Sequence, residues 1–230
     1  MRIHSADFIA GAAAARGVAI VIDVFRACSL QAHALARGAD CVLPVEDVEE
    51  ARALKRAHPD WLLAGERHAR RLPGFDCGNS PTEILAAELR SRTVIHTTHA
   101  GTQGLMAASR VASHVFTGAF VNGPATVAAV KALAPDEVTV IAMGHEARER
   151  CTEDDLCREW LIAALADRPF ELGDLRARLR SAPAAAKFFD SAADWAPLRD
   201  FDLCTEVDSV PFAVYLLPSA SGRPALRRHA

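Results

Sequence analysis

The chain has 230 residues, half of them hydrophobic, with a net charge of -3 and a pI near 6.3. Its 26 Lys and Arg residues are dispersed rather than striped, which speaks against a nucleic-acid surface. Its apolar runs break at Asp, Arg or Gly well short of a membrane span, and the start MRIHSADFIAG lacks an apolar core of signal-peptide length.

Taken in chain order, GVAIVIDVF (17–25) is a continuous apolar run rich in β-branched residues and predicts a buried strand. LQAHALARG (30–38) follows as a helix ending on Gly, then the strand CVLPV (41–45). DVEEARALKRAH (47–58) opens on Asp47 with Glu50 three residues on, the spacing of a capped helix. WLLAG (61–65) predicts a strand, PTEILAAELR (81–90) a helix and TVIHTT (93–98) a strand. TQGLMAAS (102–109) is helical, RVASHVF (110–116) a strand, GPATVAAVKALA (123–134) a helix and VTVIAM (138–143) a strand. TEDDLCREWLIAALAD (152–167) is the longest helix. DLCTEVDSVPFAVYLL (202–217) alternates and holds Pro211, which suits an edge strand, and SASGRPALRRHA is expected to fray. Strands alternating with helices predict an α/β fold with a largely parallel sheet covered on both faces. The chain reads as a single unit, or as two α/β halves dividing near residue 120. Six cysteines show no C-x-x-C spacing and no zinc set. A soluble, reduced, cytoplasmic enzyme is the expectation.

Ligands of open parallel sheets bind beyond the carboxyl ends of the strands. That rule gathers Asp23 and Arg26, Gly65 to Arg67, Thr97 to Thr102, Thr117 to Asn122, and the acidic run Glu153, Asp154, Asp155 onto one edge. In VIDVFRACS, Asp23 and Arg26 form either a metal ligand beside a phosphate clamp or an ion pair that starts a helix. In LPGFDCGNSPTE (72–83), Ser80 as N-cap, Pro81 at N1 and Glu83 at N3 explain the helix start. They leave Gly74, Phe75, Asp76, Gly78 and Asn79 without a duty. HTTHAGTQGL places a Gly-containing turn between strand and helix, where backbone amides with Thr98 and Thr102 suit an anion. Glu153 and Asp154 either complement a helix dipole or project toward a metal. His96 and His99 read as local polar contacts.

Together IDVFRA (22–27), GERHARRLPGFDCGNSP (65–81), TTHAGT (97–102), TGAFVN (117–122), EDDLC (153–157) and DLCTEVDSVP (202–211) resemble the ComB family, the 2-phosphosulfolactate phosphatases. The pieces occur in family order across nearly the whole chain. The resemblance implies a three-layer α/β/α fold and Mg²⁺-dependent hydrolysis of a phosphate monoester on a sulfonated lactate, a step of coenzyme M biosynthesis. The partner is then a small phosphorylated acid, with neither nucleic acid nor membrane, and a homodimer stays open. Mapped onto this chain, it implies Asp23, Arg26, Glu66 and Asp76 as catalytic residues. Arg26, Arg71, Asn79, Ser80, Thr98, Gly101 and Thr102 would bind substrate, and Asp23, Glu153 and Asp154 would hold the metal.

Two segments depart from the pattern. The usual T-T-N-G-T reads TTHAGT here, and G-x-x-G-x-x-S-x-E-D reads GHEARERCTED (144–154), with Arg158 and Glu159 where small residues are usual. Rival readings are an isochorismatase-like hydrolase using Lys131 and Cys151, and an anion-binding homologue without turnover. A haloacid-dehalogenase-type phosphatase would need an Asp where Phe25 stands.

Overall fold

The structure, a computed structural model, describes residues 1–218 and 222–229. In chain order the elements are β1 (Arg2–Asp7), α1 (Phe8–Ala13), β2 (Val18–Ile22), α2 (Ala27–Ala36), β3 (Cys41–Pro44), α3 (Val48–Ala57), β4 (Leu62–Arg67) and β5 (Arg70–Arg71). There follow α4 (Pro81–Ala86), β6 (Thr93–Thr97), α5 (Gly101–Ser109), β7 (His114–Gly118), α6 (Gly123–Ala132), β8 (Glu137–Ala142) and α7 (Thr152–Leu165). The chain closes with α8 (Leu175–Arg180), α9 (Leu198–Thr205), β9 (Ala213–Pro218) and β10 (Pro224–His229). Short 3-10 turns cover Phe120–Asn122 and Pro183–Phe188.

Among the described residues the ten strands form one sheet in the order β1-β8-β2-β7-β9-β10-β3-β6-β4-β5. β1, β8, β2 and β7 run parallel to one another, as do β3, β6 and β4. Three successive antiparallel pairings, β7 with β9, β9 with β10 and β10 with β3, set the two parallel groups in opposite directions. Strand twist reconciles them. From β2 to β4 is six steps across the sheet. At 20–25° per step the twist accumulates to about 130°. Opposed strands are thereby turned until their carboxyl ends approach one another, and residues from the ends of β2, β4 and β6 line one cavity.

Helices cover both faces, giving the three-layer α/β/α arrangement expected from the sequence. β2 shows how alternation feeds two cores. Ala19 and Val21 point to the core that holds α1, α2 and α5, while Val18, Ile20 and Ile22 point to the one holding α6, α7 and α9. α2 is buried from Ala27 through Leu35 and packs on α4, α5, α9, β3 and β10. α3 is a surface helix by contrast. Only Ala51 is fully buried, Asp47 accepts the Glu50 N–H at 2.8 Å, and Lys55 and Arg56 close the last turn. No helix among the described residues is long and apolar enough to cross a membrane.

Several expected boundaries move. The strand expected at 110–116 is His114–Gly118, because the chain from Arg110 to Ala112 is still winding off α5, with Ala112 N–H on the Ala108 carbonyl. Residues 202–205 finish α9, and the strand expected to hold Pro211 starts only at Ala213. That strand is not at an edge: β9 lies between β7 and β10. The expected fraying also fails for 224–229, which form β10 in mid-sheet; residues 219–221 and 230 lie outside the described residues. β1 and α1 were not expected, since RIHSAD shows neither strict alternation nor an apolar β-branched run.

Candidate active site

Asp23 follows β2 directly and is 8 % exposed. Its Oδ1 accepts the Ala27 N–H at 3.1 Å, so the carboxylate caps the first turn of α2, and its Oδ2 lies against Gly101. α5 begins hard against it: a Cβ on Gly101 would stand 2.7 Å from Asp23 Oδ2, so only glycine allows this approach. Around Asp23 the cavity is lined by Arg26, Glu66, Asn79, His99, Glu146, Cys151, Glu153, Asp154 and Lys187.

The acidic groups divide by what already bonds them. Asp154 Oδ1 accepts the Val24 N–H and its Oδ2 the Gly144 N–H, both at 2.8 Å. Glu66 Oε1 accepts the His99 N–H and Oε2 the Ala69 N–H, both at 2.7 Å. These two carboxylates therefore hold loops together. Glu153, next to Asp154 at the start of α7, keeps a buried Oε2 with no partner among the described residues. Burial pushes Asp23 up to about 6, helped by the Glu66 and Glu153 charges and opposed by Ala27 N–H and Lys187. Burial likewise raises Glu153 and, with the Asp23 and Glu153 charges, raises Asp154.

Two cations face this group. Lys187, from the 3-10 turn over the cavity, has its ammonium value lowered by burial and by Arg26, while Glu153 and Asp23 work in the other direction. Arg26 is 2 % exposed and firmly held. Its Nη1 donates to Asp200 Oδ2 at 2.7 Å and to the Trp195 carbonyl at 3.0 Å, and its Nη2 donates to the Ala69 carbonyl at 3.2 Å.

A buried polar chain backs the cavity. Gln31 Nε2 is 3.2 Å from His96 Nδ1, and His96 Nε2 is 3.3 Å from Asn79 Oδ1. Burial and the Arg67 charge lower His96 to about 3, so it is neutral. A neutral ring serves both neighbours if Nδ1 accepts from Gln31 and Nε2–H donates to Asn79. The Asn79 carboxamide nitrogen is then the end of the chain that reaches the cavity.

Comparison with known proteins decides the lineage. The profile of the family described as 2-phosphosulpholactate phosphatase matches residues 3–212. The chain belongs to the 2-phosphosulpholactate phosphatase family. Relatives named probable 2-phosphosulfolactate phosphatase include one from Symbiobacterium thermophilum, 38% identical over 162 residues, which is 69% of this chain and 68% of that protein. One from Deinococcus radiodurans is 39% identical over 131 residues, 57% of this chain and 55% of that protein. One from Bacillus subtilis is 29% identical over 189 residues, 81% of each. The stretches matched in these relatives thus range from about half to four fifths of their length.

Of the residues that the resemblance to this phosphatase family implied, Asp23, Arg26, Glu66, Asn79, Glu153 and Asp154 line one cavity. Others stand elsewhere. Asp76 Oδ2 accepts the Leu63 N–H at 2.8 Å and pairs with Lys55 at 2.9 Å, so it clasps the 72–77 loop to β4. Arg71 is exposed, 3.7 Å from Glu83. Ser80 Oγ accepts the Glu83 N–H and donates to Asp200 Oδ1 at 2.9 Å, whereas the Glu83 carboxylate turns to Gly78 N–H and leaves the expected reciprocal cap unmade. The Thr98 and Thr102 hydroxyls accept each other's N–H at 3.0 and 2.9 Å and are fully buried. Gly101 serves by its small size.

Sequence reasoning missed Lys187 and Asp200. SAPAAAKFFD has no periodicity to mark a site, and Asp200 in PLRDFDLC falls just before the stretch read as an edge strand, outside any expected element. The two segments that depart from the family pattern meet in space, through His99 and Glu146.

Proposed function

We propose that the chain hydrolyses the phosphate monoester of a small sulfonated acid, 2-phosphosulfolactate, to sulfolactate and phosphate, with Mg²⁺ as cofactor. The observation that carries the reading is the meeting of Asp23 and Glu153 with Arg26 and Lys187 at one cavity in a chain of this family. A phosphate dianion needs cations to reach it and an acid-lined place for a metal, and both are here.

The donor set suits a hard divalent cation. Asp23 Oδ2 and the partnerless Glu153 Oε2 are carboxylate oxygens, the ligands that Mg²⁺ takes. Asp154 is less suited, because both of its oxygens already accept backbone N–H groups. When bound, such an ion neutralises charge on the phosphoryl oxygens and orients the attacking water. Lys187, among the residues that line the cavity, offers its ammonium to the substrate anion. Arg26, its charge shared with Asp200, contributes a fixed positive edge rather than a free fork. Asn79 offers its amide N–H to a substrate oxygen, and Asp23, with a value near 6, is ionised at neutral pH.

The cysteine-hydrolase alternative finds no support. Lys131 pairs with Asp167 on the surface at 2.6 Å, and burial with the Asp154 and Glu153 charges pushes the Cys151 thiol far from a reactive thiolate. The test is phosphate release from 2-phosphosulfolactate and from a generic aryl phosphate, with Mg²⁺ and with chelator. Chelator-sensitive release that favours the sulfonated substrate is expected. No release from any phosphomonoester in the presence of Mg²⁺ would overturn the reading.

A further inference from the structure

Two imidazoles and a carboxylate meet at the rim of the cavity. His68, His99 and Glu146 each offer a ligand atom, and these atoms lie within 4.8 Å of one another. His68 Nδ1 is 2.6 Å from Glu146 Oε1, and the His68 and His99 ring centroids are 5.1 Å apart. An ordinary surface ion pair accounts for His68 and Glu146. It does not account for His99, whose Nδ1 is buried with no partner among the described residues. A buried nitrogen lone pair or N–H without a partner is costly, so its presence points to a group that completes it.

The backbone frame for this cluster is fixed. Glu66 accepts the His99 N–H with one oxygen and the Ala69 N–H with the other, which ties the turn carrying His68 to the start of α5. The turn carrying Glu146 is closed by the His145 N–H on the Glu149 carbonyl at 2.7 Å. Three loops from distant parts of the chain are thus held with nitrogen and oxygen donors facing one point. No step of the proposed hydrolysis uses them.

We propose that His68, His99 and Glu146 bind a divalent cation of the zinc class, separate from the all-oxygen site at Asp23 and Glu153. Imidazole nitrogens select borderline metals such as Zn²⁺ or Co²⁺ over Mg²⁺. Three protein ligands leave a further position for water or for an anionic ligand. His99 and Glu146 also line the cavity, so that open position faces it. The assignment stands whether or not the chain is a phosphatase.

The test uses the metal alone. Untagged, metal-free full-length chain is titrated with Co²⁺, followed by visible absorption, and with Zn²⁺, followed by calorimetry, each in a large excess of Mg²⁺. One equivalent is expected to bind, with a Co²⁺ spectrum of low coordination number. H68A and E146Q should each weaken binding at least about tenfold, the lower end of what disturbing even a supporting group costs a metal site. His68 is exposed, so H68A should leave the melting curve unchanged. D23N should retain the equivalent. Binding that survives the H68A/E146Q double variant, that is lost instead in D23N or Cys151→Ser, or that excess Mg²⁺ abolishes would overturn the proposal, as would no binding at all.

Discussion

Arg26 and Asp200 form a fully buried ion pair, 2.7 Å apart, across 174 residues of sequence. Asp200 does more than neutralise the guanidinium. Its Oδ1 also accepts the Ser80 hydroxyl at 2.9 Å and the Thr82 N–H at 2.8 Å. One carboxylate therefore ties α9 to the start of α4 and to the cavity wall. Replacing it strands a buried cation, and removing one partner of such a pair costs about 3 kcal/mol or more. Asp200→Ala is expected to lose that much in urea denaturation, whereas Asp202→Ala, on the exposed side of the same helix, should lose little.

Asp23 sets function against stability. Its value in the folded chain, about 6, lies above the 3.8 of an unperturbed carboxyl. A raised value means that the stability it permits is fully present below about 3.8 and is lost as pH rises through about 6. With chelator present, Asp23→Asn should therefore be more stable than the parent at pH 8, by roughly 1–3 kcal/mol, and equal to it near pH 3.5. With Mg²⁺ and substrate, the same variant should lose roughly 10²-fold or more in turnover. Paired denaturation and rate measurements check both halves. Turnover equal to the parent would remove Asp23 from the site.

Lys187 lowers the value of Asp23 and faces the substrate space. Lys187→Met should raise KM roughly tenfold, the worth of one charge-assisted contact, with a smaller change in kcat. In chelated protein it should also move the pH-dependent loss of stability to higher pH, because Asp23 then ionises later. A lysine that does not meet the substrate would shift the pH dependence and leave KM unchanged.

Asn79 and Ser80 are neighbours with different duties. Ser80→Ala removes a cap and a bond to Asp200, and should cost about 1–2 kcal/mol of stability. Asn79→Ala should lower the hydrolysis rate while shifting the melting temperature less than Ser80→Ala does. Normal rates in Asn79→Ala would make the 72–83 stretch only a well-anchored loop.

How much of this the sequence displays follows from the range of the forces involved. β2 and β8 are legible because strands buried on both faces need unbroken apolar runs, as VAIVI and VTVIA show. β10 is not legible. PALRRH carries two consecutive arginines, one toward each face, yet it lies in mid-sheet, because its partners β9 and β3 supply the context. Within the site, Asp23, Glu66 and Glu153 follow from strand ends and helix starts. Asp200 and Lys187 are placed by contacts far away in the chain, which no local pattern encodes. Thr98 and Thr102 looked like anion ligands because hydroxyls beside a glycine fit either role, and here the local bond is made.

The antiparallel pair β9–β10 has a consequence for how the molecule comes together. It is the seam between the two parallel groups, and it is also the last pair of strands in chain order. During synthesis, Asp23 and Glu66 are therefore made long before the residues that lock their strands into one sheet. Long-range pairing of this kind closes late and slowly, since the intervening chain must be ordered first. The cavity is thus among the last features to mature: a nascent chain halted before residue 213 already holds the strand of Asp23 and the loops of Asp154 in one parallel group, but lacks the seam that sets them against Glu66 in the other.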